Sequence, residues 1–139
     1  MIIIVTGGQR HDGVVLPYVL EELRVPYLPG VGRPRVRPDV VIADRAYSSA
    51  ANRGHCRRRG IKFVSPERKD QVNNRKRKSA KGGHPPKLDA NRYKDRNVVE
   101  RFFSRAKQWR GLATRFEKHA INYRGGMVLF AVFDWLKPN

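Results

Sequence analysis

A chain of 139 residues, 40% of them hydrophobic, is long enough for one domain with its own core, which excludes wholesale disorder. Thirty Lys and Arg against twelve Asp and Glu leave a formal charge of +18. Self-repulsion on that scale is relieved by a polyanion, so nucleic acid leads the possible partners, ahead of an anionic membrane surface.

Taken in chain order, Ile2 to Thr6 predict a buried strand, apolar on both faces. A turn at 7–13 follows, with Asp12 placed to cap a helix over 14–23 whose Val15, Val19 and Leu23 share a face. Residues 26–38 form a Gly/Pro/Arg loop. A second buried strand spans 39–43 and ends at Asp44. A basic helix is expected over 48–59, stopped by Gly60, and a third strand over 61–64, closed by Pro66. Residues 67–91 hold almost no apolar side chains and include Arg75-Lys76-Arg77-Lys78, which predicts a flexible basic loop.

A long amphipathic helix is predicted over 92–109, with Val98, Val99, Phe102, Phe103, Ala106 and Trp109 on its apolar face. The last helix runs over about 120–135 and is interrupted at Gly125-Gly126. Met127, Leu129, Phe130, Val132 and Phe133 are its core positions. Trp109 and Trp135 sit among apolar neighbours and read as core, not as platforms for stacked bases. Strands alternating with helices make this an α/β chain.

The single cysteine, Cys56, excludes an internal disulfide and completes neither a zinc-finger spacing nor a nucleophilic site. No apolar run approaches the roughly 20 residues that span a bilayer, so no membrane partner is expected. A reduced cytoplasmic, nucleoid-associated setting fits.

Two acidic residues carry the chemical argument. Asp44 stands at the C-terminal end of a buried strand, where open α/β sheets place ligands. Its plain alternative is a helix N-cap for the segment after it. Glu100 stands in the basic helix, and at about 100° per residue it shares a narrow arc with Tyr93, Arg96 and Lys107. The plain alternative there is a solvated stripe with an Arg96–Glu100 pair worth a few tenths of a kcal/mol. A strand-end Asp and a helix Glu also supply oxygen ligands of the kind hard divalent cations need. Two such ions can activate an attacking oxygen and stabilise the leaving oxygen of a phosphodiester.

Tyr93, Arg96, Glu100 and Lys107 match the pattern Y-x2-R-x3-E-x6-K, and Val41-Ile42-Ala43-Asp44-Arg45-Ala46-Tyr47 forms a second block. Together they resemble the catalytic domain of DDE-type insertion-sequence transposases. Further likeness lies in Gly7, Gln9, Arg10, His11 and Asp12, in Gly82-Gly83-His84-Pro85-Pro86, in Lys107-Gln108-Trp109-Arg110-Gly111 and in Tyr123-Arg124-Gly125. The resemblance implies an RNase H-like fold across 1–139 and an Asp-Asp-Glu triad holding two Mg²⁺ or Mn²⁺ ions. It also implies hydrolysis at transposon ends followed by strand transfer to target DNA. By matching position, Asp44 is the second aspartate and Glu100 the glutamate, while Tyr93, Arg96 and Lys107 position DNA. A homodimer, or association with a full-length transposase, is the implied assembly.

No residue corresponds to the family's first aspartate, which precedes the segment matched here. The expectation is therefore a domain incomplete at its N-terminus and inactive alone. The alternative is a non-catalytic basic DNA-binding remnant, or an inhibitor of an intact transposase. A third reading is a general nucleic-acid-binding module in which the signature is accidental. Asp12 is a weak substitute for the missing carboxylate, since capping explains it at least as well. Arg75 to Lys78 are expected to contact DNA phosphates. Gly32-Arg33-Pro34-Arg35 resembles the core of an AT-hook but reads better as a Pro-rich connection. His11 and His119 are weak candidates for proton transfer.

Overall fold

The computed structural model describes residues 2–9, 11–25, 33–114 and 117–137. They fall into two compact units, one of residues 11–96 and one joining 1–10 to 97–139.

The first unit opens with a 3-10 turn, Asp12–Val14, and helix α1, Leu16–Glu21. The cap of the turn is His11, whose ring nitrogen accepts from the Gly13 amide at 3.0 Å; Asp12 lies inside the turn. Val15 is buried as expected, but its buried companions on α1 are Leu16 and Leu20, while Val19 and Leu23 are only partly buried. Strand β1, Val40–Ile42, pairs in parallel with β2, Lys62–Val64, in the register Val40 to Lys62, Val41 to Phe63 and Ile42 to Val64. Helix α2, Ala50–Arg58, makes the crossover, as a parallel pair requires.

The end of α2 is a Schellman closure. The Gly60 amide donates to the Arg57 carbonyl at 3.0 Å, and the Ile61 amide donates to the Cys56 carbonyl at 2.9 Å. Gly60 takes φ +64, the left-handed conformation that makes glycine the stop signal here. Cys56 and Ile61, bracketing that turn, are buried with Leu16 and Leu20, and Val41, Tyr47 and Phe63 pack against them.

Residues 67–91 are not simply a loop. They contain helix α3, Lys69–Arg77, followed by a 3-10 turn, Ser79–Gly82. Only Val72 is apolar in α3, so hydrophobic pattern gives no hint of it. Side-chain polar bonds fasten it instead: the Gln71 amide donates to the Ser48 carbonyl at 3.3 Å, and Arg75 makes a two-pronged pair with Glu67.

The expected 92–109 helix is three pieces. Helix α4, Ala90–Tyr93, leads into a 3-10 turn, Lys94–Arg96, and then into α5, Asn97–Ala106.

In the second unit, α5 is followed by α6, Arg110–Ala113, and α7, Ala120–Leu136. Helix α7 runs unbroken through Gly125-Gly126. A Cβ on Gly126 would lie 3.2 Å from a Leu112 methyl, so the bare glycine allows α6 to approach. Ala106, Met127 and Phe130 form the core, with Ile3, Phe102, Leu112 and Tyr123 packed on it. Residues 2–6 are not in a strand: they pair with no other strand among the described residues, and Ile3 joins the helical core instead.

The apolar faces are only partly covered. Val98, Val99, Leu129, Val132 and Phe133, expected in the core, are about half exposed, and Trp135 is 90% exposed. Trp109, 41% exposed, stacks edge-on against Phe130 at 5.3 Å. No helix among the described residues is long and apolar enough to cross a membrane.

Candidate functional site

Asp44 follows β1 directly, and its carboxylate accepts from the Ala46 amide at 2.8 Å, capping the 3-10 turn Arg45–Tyr47. Both readings of this residue therefore coincide in one place. It is a cap, and it is a partly exposed carboxylate (42% for the side chain) at the C-terminal end of a parallel strand. Its second oxygen faces the Arg96 guanidinium at 3.9 Å.

The turn behind Asp44 is held by buried polar groups. Ser65 Oγ donates to the Asp44 carbonyl at 2.7 Å, and Ser48 Oγ donates to the Arg45 carbonyl at 2.7 Å. Arg53 donates to the carbonyls of Ser48 at 3.2 Å and Ser65 at 3.0 Å, with its guanidinium 5.5 Å from the centre of the Phe63 ring. Asn52 donates to the carbonyls of Gly13 at 2.7 Å and Tyr47 at 3.1 Å. Burial raises the Tyr47 phenol above its ordinary pKa, and the Asp12 and Asp44 carboxylates add to that shift. Ser48, Asn52 and Ser65 are each at most 4% exposed. Sequence reasoning singled out none of them, since a lone Ser or Asn in a basic stretch carries no spacing signal.

Arg96, expected to position DNA, thus lies against a candidate catalytic carboxylate within its own unit. Tyr93 is half-buried at the end of α4. Asp89 caps that helix, accepting from the Arg92 amide at 3.2 Å, and is tied to Lys62 on β2 at 3.0 Å. Lys62 and Arg92 hold the Asp89 carboxyl below the usual range. Of the basic run, Lys76, Arg77 and Lys78 are exposed. Arg75 is 18% exposed and paired with Glu67, and the Arg75 guanidinium holds the Glu67 carboxyl below its ordinary pKa.

In the second unit, Glu100 lies in the first turn of α5 and is exposed. Lys107 follows the same helix and lines a cavity of about 270 Å³ with Phe103, Leu112, Tyr123 and Met127. Arg105 and Asp134 join α5 to α7 through two hydrogen bonds of 2.7 Å, and the arginine lowers the Asp134 pKa.

Hard divalent cations take several oxygen ligands. Among the described residues, no three His, Cys, Asp or Glu side chains gather in a way that could hold one. Burial raises the Cys56 thiol pKa, which keeps it protonated and unreactive. The AT-hook-like segment begins at Gly32, outside the described residues. Its Arg35 pairs with Asp39, and its backbone bridges Val25.

A search of curated proteins and a search of solved structures each find no match. The family model for the transposase DDE domain matches residues 2–133, nearly the whole chain. The chain belongs to the transposase DDE domain family.

Proposed function

We propose that this chain contributes to DNA transposition at insertion-sequence ends, with Asp44 and Glu100 as two carboxylates of the catalytic set. The family implies an RNase H-like fold and DNA as partner, and its domains generally use divalent metal ions. The observation that carries the reading is the position of Asp44: a carboxylate, partly exposed, at the C-terminal end of a parallel strand. A charge of +18 supports a polyanionic partner. Within the basic run, Lys76, Arg77 and Lys78 are the phosphate contacts, and Arg75 serves α3. Tyr93, Arg96 and Lys107 supply the remaining contacts to the DNA ends.

The same reading includes inactivity of the chain by itself. Two carboxylates without a third do not anchor a pair of Mg²⁺ or Mn²⁺ ions. The +18 charge favours a second reading, a DNA-binding remnant that competes with an intact transposase for its ends or joins it in a mixed assembly.

The test is a titration of the purified chain with Mg²⁺ and Mn²⁺ beside a transposon-end duplex, following binding and cleavage together. Salt-sensitive binding without cleavage is expected. Cleavage that disappears in Asp44→Asn and Glu100→Gln would overturn the inactivity while supporting both carboxylate roles. Binding indifferent to salt would overturn the DNA reading.

A further inference from the structure

We propose that Asn52 is a positioning residue for Asp44: it binds the Asp44 turn to the preceding Asp12–Val14 turn and so fixes where the carboxylate stands. This rests on the reading of Asp44 as a catalytic carboxylate. Asn52 lies in the first turn of α2 and is 3% exposed. A buried amide in a helix is costly unless its hydrogens are used. Both contacts its NH₂ group makes go outside its own helix. One is the Gly13 carbonyl at 2.7 Å, in the first turn. The other is the Tyr47 carbonyl at 3.1 Å, at the far end of the turn that Asp44 caps. Helix α2 has its own cap in Ser49, whose Oγ accepts from the Asn52 amide at 3.2 Å. The Asn52 side chain is therefore not needed to start the helix.

Gly13 supports the same junction independently. A Cβ there would lie 2.7 Å from the Ala46 carbonyl oxygen, closer than real Cβ atoms come. The bare α-carbon lets the two turns touch, and Asn52 bonds across them. On the other side of the Asp44 turn, Ser65 holds the Asp44 carbonyl and Arg53 holds the carbonyls of Ser48 and Ser65. The result is a backbone fastened on both sides while the carboxylate stays partly exposed. A catalytic site needs this kind of support, because its ligands must keep their geometry without being covered.

The test compares Asn52→Asp, which keeps the shape and loses the donors, with Gly13→Ala, which pushes the turns apart from the other side. Amide hydrogen exchange is read by NMR at Ala46, whose N–H donates to Asp44, and at Ala43 and Ile61 in the sheet and helix junction. In both variants Ala46 should lose about tenfold or more of its protection, the consequence of leaving buried carbonyls unpaired, while Ala43 and Ile61 keep theirs. Mn²⁺-induced broadening at Asp44 and Ala46 should weaken in parallel. Unchanged protection at Ala46, or an equal loss at all three amides, would overturn the proposal, the second result reducing Asn52 to general stability. A selective loss at Ala46 with no Mn²⁺ broadening in the natural chain would uphold the hold of Asn52 on the turn and count against the carboxylate's role.

Discussion

Arg96 places its guanidinium 3.9 Å from Oδ2 of Asp44, at the mouth of the turn that the same aspartate caps through Oδ1. A cation there neutralises the carboxylate when no metal is bound, and any divalent ion arriving at Asp44 has to displace its influence. Two unit charges 4 Å apart interact by about 1 kcal/mol in water, and these side chains are partly exposed, so about that much is at stake. Replacing Arg96 with Gln should raise Mn²⁺ affinity at Asp44 by up to about fivefold at low salt. The same substitution should weaken binding to a DNA duplex. Electron paramagnetic resonance of added Mn²⁺ checks the first effect. An unchanged or lower affinity would mean that the arginine does not compete with a cation.

The Glu67–Arg75 pair holds α3 against the segment that follows β2. Arg75 lowers the Glu67 pKa, so the pair's contribution is complete above the ordinary carboxylate value, 4.5 here, and is lost as pH falls through the lower folded value. Glu67→Gln should therefore melt several degrees below the natural chain at pH 7, the scale of a stability change near 1 kcal/mol. The difference should close progressively as the pH falls below 4.5. Melting curves of both proteins between pH 7 and 3 test the sign. A gap that widens on acidification would remove Glu67 as the cause.

Gly60 ends α2 at φ +64, and a Cβ there would also come within 3.2 Å of an Arg37 guanidinium nitrogen. Alanine should cost about 1–2 kcal/mol through the left-handed backbone alone. Arg37 sits at the end of a flexible side chain and can move away. Denaturation by urea measures the loss, and a loss under about 0.3 kcal/mol would show that the turn relaxes to another closure.

The β-α-β segment around Asp44 was legible because each element has a local signature: two short apolar runs, a glycine stop and an acidic residue at the strand end. Helix α3 was not, since Val72 is its only apolar residue and its anchors, Gln71 to Ser48 and Arg75 to Glu67, are visible only in three dimensions. The 3-10 turn Lys94–Arg96 was equally hidden, because charged residues fit either kind of helix. Gly125-Gly126 suggested a break at roughly 1 kcal/mol per glycine, and close packing of Gly126 on Leu112 outweighs that penalty. Ile2 to Val5 have strand composition, yet a strand exists only with a partner to bond. At the site, Asp44 could be picked out from its position after an apolar run. Asn52 could not, because its importance lies in two backbone carbonyls, one of them 39 residues away in sequence.

Both tryptophans, Trp109 and Trp135, belong to the unit built from α5, α6 and α7, which makes their fluorescence a reporter for that unit. Its core centres on Phe130, 2% exposed, with the Phe102 ring 5.2 Å and the Trp109 ring 5.3 Å away. Phe130→Ala removes the shared partner of both rings and should cost about 3–5 kcal/mol. Phe133→Ala, from a half-exposed position 6.0 Å from Trp109, should cost under about 1 kcal/mol. Urea unfolding followed by tryptophan emission separates the two by the size of the fall in midpoint. If Phe133→Ala proved as damaging as Phe130→Ala, the half-exposed face of α7 would be covered in solution, and the loss should then depend on protein concentration if a second copy covers it.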